Sequence, residues 1–162
     1  MNFKIDVKKE MSNVVLLIGG KRNDYLEIME KLVKKLSLEK NVIFIGWLKM
    51  DDLKIAYHAS DICLTPSICF ETFAMANLEA MACKKPVVSS YFGGPKEVVV
   101  NKETGHLINP YQIDLMAKKI LDLLKNPEKA KKFGEEGYER AKEKFSLNRQ
   151  ASETLKWYRK YV

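Results

Sequence analysis

The sequence predicts an α/β domain, a mostly parallel sheet wrapped on both faces by helices in three layers, with a helical C-terminal tail. Three observations carry that expectation. Short β-branched runs alternate five times with helical patterns, the links between them are short, and after Pro110 only helical patterning remains. Strands joined through helices lie parallel, because the crossover returns the chain to the same end of the sheet.

Each element has its own warrant. Residues 1–11 show no strand–glycine–helix opening, and FKIDVKKEM reads as the end of a helix. NVVLLIGG (13–20) reads as a buried strand ending in a glycine turn. Over 24–37, Leu26, Met29, Leu32, Val33 and Leu36 recur at helical spacing. NVIFIG (41–46) is the second strand, and MDDLKIAYHAS (50–60) a short helix with Asp51 at its positive end. DICLTP (61–66) is a third strand stopped by Pro66, and TFAMANLEAMAC (72–83) is rich in helix formers. PVVSS (86–90) is a fourth strand, after which Gly93-Gly94-Pro95 leads into a short helix with proline in its first turn. HLIN (106–109) completes the sheet, and helices over 111–126, 128–145 and 147–161 form the tail. No repeat, low-complexity stretch or linker interrupts the chain, so residues 1–162 read as a single Rossmann-like domain.

Composition narrows the function classes. At 162 residues, 46% hydrophobic and 30% charged, the chain can bury a core without disulfides. No run approaches the ~20 apolar residues of a membrane-spanning helix. The start, MNFKIDVKKEM, is too charged for a secretory signal, so a cytoplasmic location is expected. Cys63, Cys69 and Cys83 follow no zinc or redox spacing and are expected to be buried free thiols. With His58 and His106 the only histidines, no metal site and no cofactor is expected.

The net charge of +7 is concentrated in the last third, where residues 111–162 hold 13 Lys/Arg against 8 Asp/Glu. Only Arg22, Arg140, Arg149 and Arg159 are arginines, and no aromatic residues interleave the basic ones as nucleic-acid readers require. Nucleic acid is therefore not an expected partner. Two readings of the basic surface stay open: a solvated Lys-rich helical face, or one facing anionic lipid or a phosphorylated substrate.

Open parallel sheets bind ligands beyond the carboxyl ends of their strands. That directs attention to Gly19-Gly20, to Gly46-Trp47-Leu48, to residues 67–73 and to residues 91–94. These loops are glycine-rich and two of them feed helices, whose starts offer backbone N–H groups to anions, so a phosphate-bearing ligand fits. Neither a P-loop nor a GxGxxG fingerprint is present, and each glycine turn also reads as mere chain reversal.

Glu71 and Glu79 stand eight residues apart across a loop and the first turns of a helix. Helical positions at that spacing differ by ~80° and ~12 Å, too far to share a proton or a metal ion. They can grip two parts of an elongated ligand lying over the helix start. Glu79 also sits in an otherwise apolar helix, among Phe73, Met75, Leu78, Met81 and Ala82. An unpartnered carboxylate buried there would cost several kcal/mol, so Glu79 either faces solvent or binds something with hydroxyls.

These residues carry a resemblance. E-x7-E within PSICFETFAMANLEAMACKKPVVSSYFGGPKEVV resembles the motif of the family-four retaining glycosyltransferases, which have two Rossmann-like domains in the GT-B architecture. The chain resembles their C-terminal, donor-nucleotide-binding domain. Residues 13–161 carry it through VVLLIGG, VIFIGWL, LKIAYHASD, the PS-to-E loop, the EAMA helix, PVV, the GGxxE turn (Gly93, Gly94, Glu97) and GHLINP.

The resemblance implies a catalytic role for Glu71, hydrogen-bonding hydroxyls of the transferred sugar. Backbone N–H groups around Phe73 and Ala74 would face the sugar and diphosphate. Met75 would pack near the ribose or base, Glu79 would bind the ribose hydroxyls, and Trp47 and Leu48 would frame the base. The reaction implied is sugar transfer from a nucleotide diphosphate with retained anomeric configuration. The leaving phosphate would help to deprotonate the acceptor while the enzyme stabilises its growing charge. The family often has glycine where this chain has Ala74.

The same resemblance implies a first strand, a basic pair for the diphosphate and an N-terminal acceptor-binding domain upstream of this chain. The isolated chain is accordingly expected to bind donor without transferring sugar. A role in glycan, polysaccharide or lipopolysaccharide biosynthesis is implied, with a lipid-linked acceptor or a peripheral membrane location compatible with the basic tail. A different class stays open: a stand-alone nucleotide or nucleotide-sugar binding module, or a subunit completing its site with a partner chain. A nucleotide-sugar epimerase is a weaker reading, since it wants acid–base groups that two scattered histidines do not supply.

Overall fold

A computed structural model describes residues 3–161. Two compact units divide the chain, Met1–Ala56 and Tyr57–Val162. In order, the elements are α1 (Phe3–Glu10), β1 (Leu16–Gly19), α2 (Asp24–Lys35), β2 (Val42–Gly46), α3 (Met50–Ala59), β3 (Cys63–Thr65) and α4 (Met75–Ala82). Then come β4 (Val87–Ser90), α5 (Pro95–Val98), β5 (Gly105–Ile108), α6 (Ile113–Lys125), α7 (Pro127–Lys144) and α8 (Leu147–Tyr161). The alternation, the parallel strands and the helical tail are as the sequence predicts.

The hydrogen-bonded pairing differs from the single sheet expected. β1 pairs with β2 in one parallel sheet, and β3, β4 and β5 form a second, with β4 central and both pairings parallel. Alternation fixes the direction of successive strands but carries no information on which strand lies beside which.

In the first unit, Leu16, Leu17 and Ile18 face Val42, Ile43 and Phe44, and the register shifts between Ile18 and Gly19. Asn41 is buried, and its Nδ2 donates to the carbonyls of Ser12 and Val14 at 3.1 and 2.8 Å, which fixes the loop entering β1. Val7, Leu38 and Val42 supply the buried apolar side chains. Asn23 caps α2 through a side-chain oxygen that accepts the Leu26 N–H at 3.2 Å.

In the second unit, Ala80, Met81, Val87, Val98, Val99 and Ala141 form the core, with Tyr57, Cys63, Phe73, Leu78 and Leu107 packed on it. β4 is buried at every position, the pattern of a central parallel strand. α7 approaches α4 through two glycines: a Cβ on Gly134 would lie 2.1 Å from the Lys84 carbonyl oxygen, and one on Gly137 3.1 Å from the Met81 Cγ. Arg140 holds the end of α5, its Nε and Nη2 donating to the Val98 and Glu97 carbonyls at 2.8 and 2.7 Å.

Candidate functional site

The predicted helix over 72–83 begins three residues later than its composition suggests. Ala74 has φ 64° and ψ 63°, a left-handed conformation that cannot continue a helix, so Thr72 and Phe73 stay in the loop and α4 opens at Met75. Glu71 is consequently not on the helix at all. The helical geometry expected between the two glutamates therefore does not apply.

Glu71 is held by backbone instead. It bridges in parallel fashion to Gly93, its N–H donating to the Phe92 carbonyl at 3.2 Å and its own carbonyl accepting the Gly94 N–H at 2.8 Å. Gly93 and Gly94 are required by this fit, since a Cβ on either would lie 2.2 Å from the carbonyl oxygen of Glu71 or Thr72, respectively. The glycine turn is thus a seat for the Glu71 loop, beyond simple chain reversal. Ser67 Oγ donates to Glu71 Oε1 at 2.7 Å and orients the carboxylate.

Glu79 is half-buried on α4, and its Oε2 accepts the Tyr57 hydroxyl proton at 2.9 Å. Burial, followed by that hydrogen bond, pushes the Tyr57 hydroxyl well above the usual tyrosine range, so it remains a donor. Cys63 lies nearby and its thiol is pushed up to about 12, chiefly by burial and then by the Glu79 charge. All three thiols depart from the buried reading: Cys63 and Cys83 are half-buried, and Cys69, two residues before Glu71, is exposed.

A buried polar knot sets α4 against the strand ends. Asn77, fully buried, donates from Nδ2 to Ser89 Oγ at 3.0 Å, and its Oδ1 accepts from Thr65 Oγ1. Thr65 and Ser89 are also within hydrogen-bond distance, at 2.7 Å. One side chain from β3, one from β4 and one from α4 thereby fix the helix start over the carboxyl ends of both strands. No side chain caps that start; the Asn77 N–H donates to the Ala74 carbonyl at 3.0 Å, and the N–H groups of Met75 and Ala76 before it have no intrahelical partner.

The remaining expected residues fall as follows. Phe73 turns inward onto the core and meets Phe145 edge-on at 5.6 Å, so what it offers outward is backbone. Met75 is exposed at the first position of α4, and Glu97 is exposed on α5. Glu71, Phe73, Ala74, Met75 and Glu79 all belong to the second unit and gather around the α4 start. Trp47 and Leu48 belong to the first unit, after β2. There Trp47 is 69% exposed with Lys21 Nζ 5.2 Å over its ring, and Gly46 turns the chain at φ 67°.

Sequence reasoning missed Tyr57, Ser67, and the Thr65–Asn77–Ser89 knot. A tyrosine in a helix packed on an apolar core signals that its hydroxyl needs a partner. The knot has no linear pattern, because its members come from three separate elements.

Among the described residues, no group of three or more His, Cys, Asp or Glu is placed to hold a metal ion. No helix among them is long and apolar enough to cross a membrane.

Residues 3–140 match the family model described as glycosyl transferases group 1. The chain belongs to this family. Curated relatives of this glycosyltransferase family include a probable sucrose-phosphate synthase of Thermosipho melanesiensis, 30% identical over 91% of this chain and 34% of the relative. Another is the alpha-1,3/1,6-mannosyltransferase ALG2 of Dictyostelium discoideum, 34% identical over 80% of this chain and 30% of the relative. The chain thus spans about a third of the length of these relatives. Among solved structures it is similar to sucrose-phosphate synthase from Thermosynechococcus elongatus, with a TM-score of 0.85 and 29% identity, covering 99% of this chain and 41% of that one. It is also similar to Anabaena Alr3699/HepE in complex with UDP, with a TM-score of 0.85 and 26% identity over 96% of this chain and 44% of that one. The fold of these GT-B glycosyltransferases is Rossmann-like, as the sequence predicts.

Proposed function

We propose that this chain is the donor-binding part of a retaining glycosyltransferase, taking a nucleotide-diphosphate sugar as substrate with no resident cofactor. One observation carries the reading: Glu71 and Glu79 flank the uncapped start of α4, each with one carboxylate oxygen held by a hydroxyl. That arrangement offers two fixed acceptors for ligand hydroxyls and, between them, N–H groups at the positive end of a helix for phosphate. Glu71 takes the hydroxyls of the transferred sugar, and Glu79 those of the ribose. The backbone at Phe73 and Ala74 faces the diphosphate, and Met75 packs by the nucleoside. Family membership and the UDP in the similar Anabaena structure support this reading.

In the reaction proposed, the sugar is transferred with retention to an acceptor hydroxyl, and the departing phosphate accepts that hydroxyl's proton. Hydrogen-bond donors at the helix start stabilise the charge that grows on the leaving oxygen. The acceptor proposed is a growing glycan or a lipid-linked one, reached at the cytoplasmic membrane face.

Calorimetric titration with UDP, GDP and ADP tests the donor site. Glu79→Ala is expected to weaken the diphosphate that binds by ~1–3 kcal/mol, the range for hydrogen bonds to a charged group. Glu71→Ala is expected to spare the bare diphosphate and weaken the corresponding nucleotide sugar. A Glu79→Ala protein that binds as tightly as the unaltered one would remove the basis of the assignment.

A further inference from the structure

We propose that Tyr57 is a positioning residue for nucleotide binding, acting through Glu79 on the ribose. The inference rests on the donor-site reading above and names a residue that neither the motif nor its spacing contains.

The geometry is specific. Tyr57 lies in the last turns of α3, 22 residues before Glu79 in sequence, and its hydroxyl is 2.9 Å from Glu79 Oε2. The alternative acceptor, the Ala76 carbonyl, is more distant at 3.5 Å. Tyr57 is packed on the core, so its ring cannot swing freely. A carboxylate on an exposed helix ordinarily samples several rotamers, and a ligand that uses one of them must bear the ordering cost. Here Oε2 is tied to a group fixed in the core. Glu79 is thereby pre-set, with Oε1 left for a diol. A tyrosine hydroxyl that stays protonated keeps donating to Oε2, which leaves Oε1 as the acceptor for ribose hydroxyls.

A mere packing role predicts something different. If Tyr57 only fills space, its hydroxyl is dispensable and Tyr57→Phe binds like the unaltered chain. If loss of the hydroxyl loosens the domain in general, every ligand suffers alike. Only action through Glu79 makes the effect depend on ribose hydroxyls.

The experiment compares the unaltered chain, Tyr57→Phe, Glu79→Ala and the double variant. Each is titrated with whichever of UDP, GDP and ADP binds, and with its 2′,3′-dideoxy counterpart. Thermal melts establish that all four proteins are folded; Tyr57→Phe keeps the packed ring. Tyr57→Phe is expected to bind the diphosphate roughly three- to tenfold more weakly, a modest hydrogen-bond effect, and the dideoxy ligand unchanged. In the Glu79→Ala background the same substitution is expected to have no further effect. Equal losses for both ligands, or a Tyr57→Phe protein that binds the diphosphate normally, would overturn the proposal. If Glu79→Ala itself leaves binding intact, the donor-site reading fails first and this inference with it. A loss confined to Glu79→Ala leaves the donor site standing and removes Tyr57 alone.

Discussion

Gly94 donates its N–H to the Glu71 carbonyl at 2.8 Å, so the loop after β4 carries the backbone of a glutamate that follows β3. The approach is close because neither Gly93 nor Gly94 has a side chain. The backbone of Glu71 is therefore placed by main chain, and the Ser67 hydroxyl orients its carboxylate.

Gly94→Ala should destabilise the chain by roughly 2–4 kcal/mol, the upper range for overpacking. Its Cβ would lie 2.2 Å from the Thr72 carbonyl oxygen and 2.7 Å from the Phe73 Cα, both main-chain atoms with no alternative rotamer. Denaturant unfolding measures the effect, and a midpoint equal to that of the unaltered chain would show that the loops do not approach this closely.

Ala74 gives a prediction of opposite sign. Its left-handed φ of 64° costs an L-residue ~1–2 kcal/mol, which glycine avoids. Glycine adds ~0.5–1 kcal/mol of unfolded-state entropy, so Ala74→Gly should stabilise by up to about 1 kcal/mol. Ala74→Val should destabilise more than either, because a branched Cβ fits this region worst. A loss of about 1 kcal/mol in Ala74→Gly, the usual result inside a helix, would refute the left-handed assignment.

His106 should make stability depend on pH. It is 3% exposed on β5, and among the described residues its Nε2 finds no hydrogen-bond partner, with Asp122 Oδ2 3.9 Å away. Burial, helped by Lys119 and Lys129, holds its pKa down at about 4. An unfolded chain protonates this histidine near pH 6.5. Stability should therefore be full above that pH, fall as pH drops toward 4, and level off below. The loss is at most roughly 3 kcal/mol. Unfolding midpoints at pH 7, 5.5 and 4.5, with His106→Gln as reference, test it: the reference should show the shallower decline.

The last helix should promote self-association. α8 has no buried residue, and Leu147, Leu155, Trp157, Tyr158 and Tyr161 are all exposed. Sedimentation velocity at several concentrations should show reversible larger species that Leu155→Glu diminishes. Concentration-independent monomers would count against the exposed apolar face as an association surface.

Fold and site were legible in the sequence to different depths. Element order is legible because helices such as α6 bury one face and a strand such as VVSS is a short β-branched run buried on both faces. The late start of α4 was not visible, since Thr72, Phe73 and Ala74 are compatible with a helix until Ala74 takes its left-handed turn. The two glutamates were found by spacing and resemblance. Their supports were not: Tyr57 meets Glu79 only through tertiary packing, and Ser67, four residues before Glu71, reaches it only through the fold of their shared loop, which has no periodic pattern. Sequence named the carboxylates, and packing supplied their orientation.

The uneven exposure of the three thiols has a practical use. Cys69 is open to solvent beside Glu71, whereas burial keeps Cys63 protonated and shielded and Cys83 is partly covered. Thiol-directed reagents act on accessible thiolates, so mild labelling at neutral pH should favour Cys69. A fluorophore or spin label can thus be attached two residues from Glu71, in the loop of the proposed donor site, with every native residue in place. Its emission or line shape would then follow occupancy in real time, giving ligand association rates for a chain whose chemistry offers no chromophore of its own.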